Sequence, residues 1–217
     1  MSDTRDWWAW HEPYDDPSSG LAQRLRIVQR RIRDTLDHAP PGPLHAVSLC
    51  AGQGRDLLGV LADHPRRHDV TARLVELDDR NVAAARAALA SLDLPDVTVV
   101  PGDAGLTDSY AGAVPADLVL ACGIFGNITE DDIRRTVAGL PELCAAGATV
   151  IWTRHRLPPD LTGPIRQWFD AEQFDEVGFD TVEDAPFSVG THRFHGVPPS
   201  LAPGRRLFCF VDPSEGR

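Results

Sequence analysis

Between residues 47 and 123 the chain sets out glycines and carboxylates in an order that suits a ligand built around a nucleoside. Val47-Ser-Leu-Cys-Ala-Gly-Gln-Gly-Arg-Asp56 runs from an apolar stretch into Gly52-x-Gly54 and on into helix-forming residues. Glycines here allow unusual backbone angles and let a ligand approach the main chain closely. At the carboxyl end of a central strand, such a turn lies where open α/β sheets bind their ligands. Glu76 closes the next apolar run, 24 residues beyond Gly52. An acid at that place can accept hydrogen bonds from both hydroxyls of a ribose. Asp103, in Gly102-Asp-Ala104, closes the third run, where a carboxylate can accept from an adenine amino group. Asp117-Leu-Val-Leu-Ala-Cys-Gly123 is a fourth run, leading into a loop under the glycine turn. The turn alone is a weak signal. A dinucleotide fingerprint asks for a third glycine near the pyrophosphate, and the chain has Leu57 there, which speaks against a nucleotide-dependent oxidoreductase.

These groups need elements to hold them. Ala46–Leu49, Val70–Leu77, Val97–Val100, Asp117–Ala121 and Thr149–Thr153 read as strands. Asp56–Asp63, Arg80–Leu92 and Asp131–Cys144 read as the helices between them, the last with Ile133, Val137, Leu140 and Cys144 facing inward. Alternation of this kind implies a parallel sheet with right-handed crossovers. Ahead of it, Leu21, Leu25, Val28, Ile32 and Leu36 share one face of a helix that Ser18 or Ser19 would cap. Arg24, Arg26, Arg30, Arg31 and Arg33 read as the solvated face of that helix. The tail predicts a helix near Pro164–Glu172, a strand over Glu176–Val182, an irregular stretch from Asp184 to Gly204, and a strand over Arg206–Val211 with Leu207, Cys209 and Val211 alternating. The two late strands, with no helix between them, suggest an antiparallel edge pair.

Composition narrows the function classes. The 217 residues carry a formal net charge of −11, which disfavours nucleic acid and anionic membrane as partners. The longest apolar stretch, around Ala116 to Gly126, is too short to span a bilayer, and the N-terminus lacks the apolar core of a signal peptide. Cys50, Cys122, Cys144 and Cys209 lack zinc-type spacing, so no metal is expected. They read as reduced thiols of a cytoplasmic protein.

Taken in order, the glycine turn, Glu76, Asp103 and the Asp117-led fourth strand resemble the class I S-adenosylmethionine-dependent methyltransferase family from about Leu44 onward. Leu143-Cys-Ala-Ala-Gly-Ala-Thr-Val-Ile151 is similar to that family's turn before strand five. The resemblance implies a Rossmann-like α/β three-layer sandwich. Its mostly parallel seven-stranded sheet would run in the order 3-2-1-4-5-7-6, with the last strand antiparallel. It divides the chain into an N-terminal aromatic segment and helix (1–43), acting as a cap or lid, and a cofactor-binding domain (44–217). S-adenosylmethionine is the implied cofactor and a small molecule the implied acceptor. Gly52 and Gly54 would contact the amino-acid portion of the cofactor, Glu76 the ribose, and Asp103 with Ala104 the adenine. Cys50, Ala51, Leu77 and Gly123 complete the expected cofactor site.

Two positions depart from the family pattern. Ser48 and Cys50 stand where an acid and a first glycine usually open the loop, which keeps a non-catalytic cofactor-binding or partner-binding module as an alternative. On the acceptor side the expected residues are Tyr14, Phe125, Asn127, Arg154 and Arg193. Asn127 would either orient an acceptor or cap the helix near Thr129. A general base is needed only if the acceptor proton leaves early, and His155, His192, His195 and Tyr14 have suitable chemistry. Trp7, Trp8, Trp10, His11 and Tyr14 crowd the first 20 residues, either covering the acceptor pocket or patching a core edge or homodimer interface.

Overall fold

A computed structural model describes residues 6–182 and 185–211. Residues 1–5 of the expected lid, residue 183, residue 184 at the start of the expected irregular stretch, and residues 212–217 of the expected domain lie outside the described residues.

Seven strands form one sheet in the order β3-β2-β1-β4-β5-β7-β6. They are β1 (Leu44–Leu49), β2 (Val70–Glu76), β3 (Val97–Pro101), β4 (Ala116–Ala121), β5 (Cys144–His155), β6 (Phe174–Thr181) and β7 (Phe187–Phe194). β1 to β5 are parallel, and β7 runs antiparallel between β5 and β6. The fold class and strand order are those implied by the resemblance.

Helices cover both faces. Because side chains alternate across a strand, Leu118 and Leu120 of β4 face one core and Val119 and Ala121 the other. The first core is shared by α1 (Gly20–His38), α2 (Leu57–Leu61) and α3 (Asp79–Ala90); the second by α4 (Glu130–Gly139) and α5 (Thr162–Ala171). Ser19 caps α1 by accepting from the Ala22 N–H at 3.0 Å. Val28, Ile32 and Leu36 of α1 join the first core, so this helix is built into the sandwich, while Leu21 and Leu25 are only half-buried.

Several sequence expectations need correction. Of the α1 arginines, Arg26 and Arg30 are exposed as expected and Arg31 and Arg33 half-buried, pairing with Asp180 (Arg30, Arg31) and Asp63 (Arg33, 2.5 Å), but Arg24 is buried. The fourth helix stops at Gly139, a 3-10 turn spans Leu140–Glu142, and Cys144 already belongs to β5.

The seventh strand falls at 187–194, inside the stretch expected to be irregular, and Arg206–Val211 is not a strand. β7 is interior and buried on both faces, so Ser188, Val189, Thr191 and His192 carry no alternation of apolar and polar. Gly190 leaves the room that the Trp152 indole fills. Residues 205–211 instead form an extended arm over the loop after β3 and over α4. A single bridge joins Leu106 to Arg206, the Leu207 N–H donates to the Gly105 carbonyl at 2.7 Å, and the Cys209 N–H donates to Asp132 at 2.9 Å. The arm buries Leu207 and Phe208 side by side, so the expected alternation is absent.

His192 has a place in this core rather than in chemistry. It is 1 % exposed, stacks on Phe169 at 4.3 Å and accepts from the Trp152 indole N–H at 3.1 Å. Burial lowers its pKa from 6.5 to about 4, with Glu176 pulling weakly the other way and Arg166 adding to the fall. Between those values the unfolded chain binds a proton that the folded one does not. Stability is therefore full above pH 6.5 and falls as pH drops toward 4, by about 3 kcal/mol for this group. Urea midpoints across that range should fall more steeply for the wild type than for His192→Gln; parallel slopes would refute this.

Candidate functional site

The chain leaves β1 through a turn of left-handed backbone: φ is 50° at Cys50, 56° at Gly52 and 72° at Gly54. Cys50 thus adopts the conformation that a glycine would take at low cost. The Ala51 N–H donates to the Val75 carbonyl at 2.9 Å and ties the turn to β2. Glu76, 8 % exposed, ties it again: one carboxylate oxygen accepts from the Gly52 N–H at 2.8 Å and the other from the Asp78 N–H at 2.9 Å. The Glu76 carbonyl accepts from the Gly102 N–H at 2.9 Å, which fixes the end of β3. Asp103 follows, accepting from the Gly105 N–H at 2.8 Å and from the Arg206 guanidinium at 2.9 Å. That carboxylate in turn raises the pKa of Arg206.

These strand ends form the floor of a cleft of about 550 Å³. Cys50, Gly52 and Gly123 line it from the turns after β1 and β4, and Glu76, Leu77, Asp103 and Ala104 from the ends of β2 and β3. Gly54 does not reach it; a Cβ there would meet Leu58 at 2.7 Å and Leu74 at 3.1 Å, so this glycine serves the packing of α2. Ala51 and Tyr14 line a smaller adjoining nook of about 50 Å³, with Arg24, Arg55 and Asp56. Trp10, His11, Cys50, Cys122 and Gly123 line both spaces.

The roof comes from the two ends of the chain. A 3-10 helix, Ala9–Asp15, lies across the carboxyl ends of the strands and presents Trp10 and His11 to the cleft; Trp7 precedes it. The His11 ring occupies the space over Gly52 that a side chain would otherwise take. Phe210 of the C-terminal arm packs on Trp7, ring centroids 4.9 Å apart and tilted by 46°. Arg80 reaches from α3 to Asp6 at 2.7 Å and Asp78 at 2.8 Å, and the buried Asn81 donates to the Trp7 carbonyl at 3.5 Å.

Asp78, Arg80, Asn81 and Phe210 are lining residues that sequence reasoning missed. The first three had one legible signal, an aspartate at the start of a helix, and Asp78 does cap α3 by accepting from the Arg80 and Asn81 N–H groups. Trp8, 40 % exposed, faces outward.

The acceptor-side expectations fare differently. Phe125 is fully buried against Trp152 in the core. Asn127 donates to the Gly123 carbonyl at 2.7 Å and so holds the loop after β4, while Thr129 caps α4. Arg154 is buried against the Phe125 carbonyl, and burial lowers its pKa. His155 packs on Gly126, outside both spaces. Arg193 lies opposite Thr149, toward the end of the sheet away from the cleft, and His195 beyond it pairs with Asp175. His192 is in the core, as described. The reason is the register of β7: its antiparallel run carries 192–195 away from the carboxyl ends of β1 to β5. Of these candidates only Tyr14 reaches the site, where burial pushes its phenol pKa up. Burial likewise raises the Cys50 and Cys122 thiols, which keeps both protonated. Asp117 accepts from the His45 N–H at 2.8 Å at the opening of β4, a structural role.

Residues 19–166 match a family described as "Putative methyltransferase". The chain belongs to this methyltransferase family. The segment carrying Trp7, Trp10 and His11 and the arm carrying Phe210 both lie outside the matched range. Over 147 residues the chain is 26 % identical to "Uncharacterized protein YnbC" of Escherichia coli (strain K12), covering 65 % of this chain and 25 % of that protein. It thus spans about a quarter of the length of the curated relative it matches. Solved structures share the fold at low identity. A possible exported protein from Bordetella parapertussis superposes with a TM-score of 0.69 at 17 % identity, over 89 % of this chain and 80 % of that one. The 1,6-didemethyltoxoflavin-N1-methyltransferase of Burkholderia thailandensis, with bound 1,6-didemethyltoxoflavin and S-adenosylhomocysteine, gives 0.65 at 15 % identity, over 88 % and 84 %. No helix among the described residues is long and apolar enough to cross a membrane.

The packing of His11 on Gly52 generates a prediction. In Gly52→Ala, the left-handed backbone should cost about 1–2 kcal/mol, and the new methyl would push the His11 ring away. The urea midpoint should fall and the emission of the neighbouring Trp7 and Trp10 should shift to the red. Unchanged midpoint and emission together would show that the ring does not rest there.

Proposed function

We propose that this methyltransferase uses S-adenosylmethionine and acts on a small-molecule acceptor, with residues 6–16 as a lid over the site. The observation that carries the reading is the convergence of Glu76, Asp103 and the Gly52 turn on one cleft of about 550 Å³. That volume lies in the range of about 300–1,000 Å³ usual for small-ligand sites. The residues fit the cofactor. The Glu76 carboxylate is already oriented by two main-chain donors with lone pairs to spare for a ribose diol, and the space over Gly52, filled here by the His11 ring, opens to a ligand when the lid lifts. Asp103 stands at the neighbouring strand end, where a carboxylate can take an adenine amino group. Leu57 is fully buried where a dinucleotide turn would need its third glycine, which favours this reading over a nicotinamide cofactor.

Bound S-adenosylmethionine supplies a methyl group already activated on a sulfonium. The protein's part is to hold, align and exclude water. Glu76 and Asp103 fix the nucleoside end. Trp7, Trp10 and Phe210 close over the cleft and shed water from it. A planar or apolar acceptor suits that aromatic roof, and its admission requires the lid to lift.

Calorimetry with S-adenosylmethionine and S-adenosylhomocysteine, followed by transfer of a labelled methyl group to pooled small metabolites, tests the reading. Glu76→Gln should weaken both ligands about tenfold or more, the worth of one hydrogen bond to a charged group, with an unchanged circular dichroism spectrum. Asp103→Asn should weaken them too, while sparing fragments without adenine. Wild-type protein that binds neither ligand would overturn the proposal.

A further inference from the structure

A zwitterionic tail at the end of the cleft needs a cation for its carboxylate and an acceptor for its ammonium. The glycine turn offers no side chain for either role. Ser48, where the family pattern has an acid, is 1 % exposed and belongs to neither lining. The nook beside the turn holds what is missing. Arg24 is 5 % exposed, yet among the described residues it has no ion pair. Its guanidinium donates to the Tyr14 hydroxyl at 2.5 Å and lies over the Trp10 and Phe187 rings. An arginine taken out of water without a carboxylate in contact is costly, and this one lines the nook, where the Asp56 carboxylate acts on it only from beyond ion-pair distance. Asp56, the one acid among the nook's lining residues, accepts from the Leu57 N–H at 2.7 Å and caps α2.

His11 stands where nook and cleft meet. Its Nδ1 lies 2.7 Å from the Trp7 carbonyl. A carbonyl only accepts, so Nδ1 carries the proton and Nε2 is left with a bare lone pair. Nε2 is the atom that sits against Gly52. Burial lowers the pKa of this histidine, which favours the neutral ring with its Nε2 lone pair unprotonated.

We propose that the N-terminal segment and α1, rather than the glycine turn, grip the α-amino-acid end of the ligand. Arg24, steadied by Tyr14, takes the carboxylate, and Nε2 of His11 accepts from the ammonium. This deepens the adenosylmethionine reading and rests on it. It also makes the lid part of the grip, since His11 belongs to the lid.

The test compares S-adenosylhomocysteine with 5′-methylthioadenosine, which shares the nucleoside but lacks the amino-acid tail. His11→Ala and Arg24→Gln should each weaken S-adenosylhomocysteine about tenfold or more and leave 5′-methylthioadenosine within about twofold. His11 lies outside the helical core, so its variant keeps the test open if Arg24→Gln fails to fold. Wild-type affinity for S-adenosylhomocysteine in His11→Ala, or tighter binding as if a plug had been removed, overturns the proposal. Equal loss of both ligands overturns it as well, since it marks a structural role. Wild-type protein that binds neither ligand sinks the cofactor reading itself, a result distinct from these.

Discussion

The Glu76 carboxylate is the constraint on which the site depends. It accepts from two main-chain N–H groups, a buried one on the turn after β1 and a partly buried one at the start of α3. Its own carbonyl takes a third, from the end of β3. Three neighbouring strand ends are thus held in register by a single residue. The same carboxylate keeps free lone pairs toward the cleft. Orientation set before a ligand arrives does not have to be found during binding, which is the physical content of preorganisation.

Around that fixed floor the protein builds a roof of a different kind. The floor is sheet, buried and laddered. The roof is a 3-10 turn and an extended arm, held by packed rings and by ion pairs that stand partly in water, such as Arg80 with Asp6 and Arg206 with Asp103. Exposed ion pairs contribute little to stability, so the roof can open without loosening the sandwich. On the proposed reading, the cleft would pair a fixed floor for the nucleoside with a cover that lifts, a division suited to admitting a ligand and then excluding water.

Much of this was legible in the sequence because it rests on order and spacing. The glycine turn, Glu76 and Asp103 sit at strand ends, and strand ends are marked by apolar runs that stop. The failures have equally physical causes. β7 escaped because a strand with neighbours on both edges and helices on both faces need not alternate, and Gly190 is there to make room for Trp152. Leu207, Cys209 and Val211 imitated a strand, but the arm buries the adjacent pair Leu207 and Phe208. Candidate acceptor residues drawn from late loops went astray with the misplaced strand, since its register decides which end of the sheet they occupy. His11 was visible only as one member of an aromatic segment. Its placement depends on two contacts, to Trp7 and to Gly52, that no local pattern encodes.

The contact between Trp7 and Phe210 bears on how the molecule assembles. These rings are about 200 residues apart in the chain and meet over the cleft. Closing so long a loop is entropically unfavourable until the sheet has already brought both ends near one another. The roof is therefore the last part to form as the chain emerges and folds, and the first to come apart under mild denaturant. Amide protons of residues 6–16 and of the arm should exchange through this local opening well before those of β1 and β4, which wait for the whole sandwich to unfold.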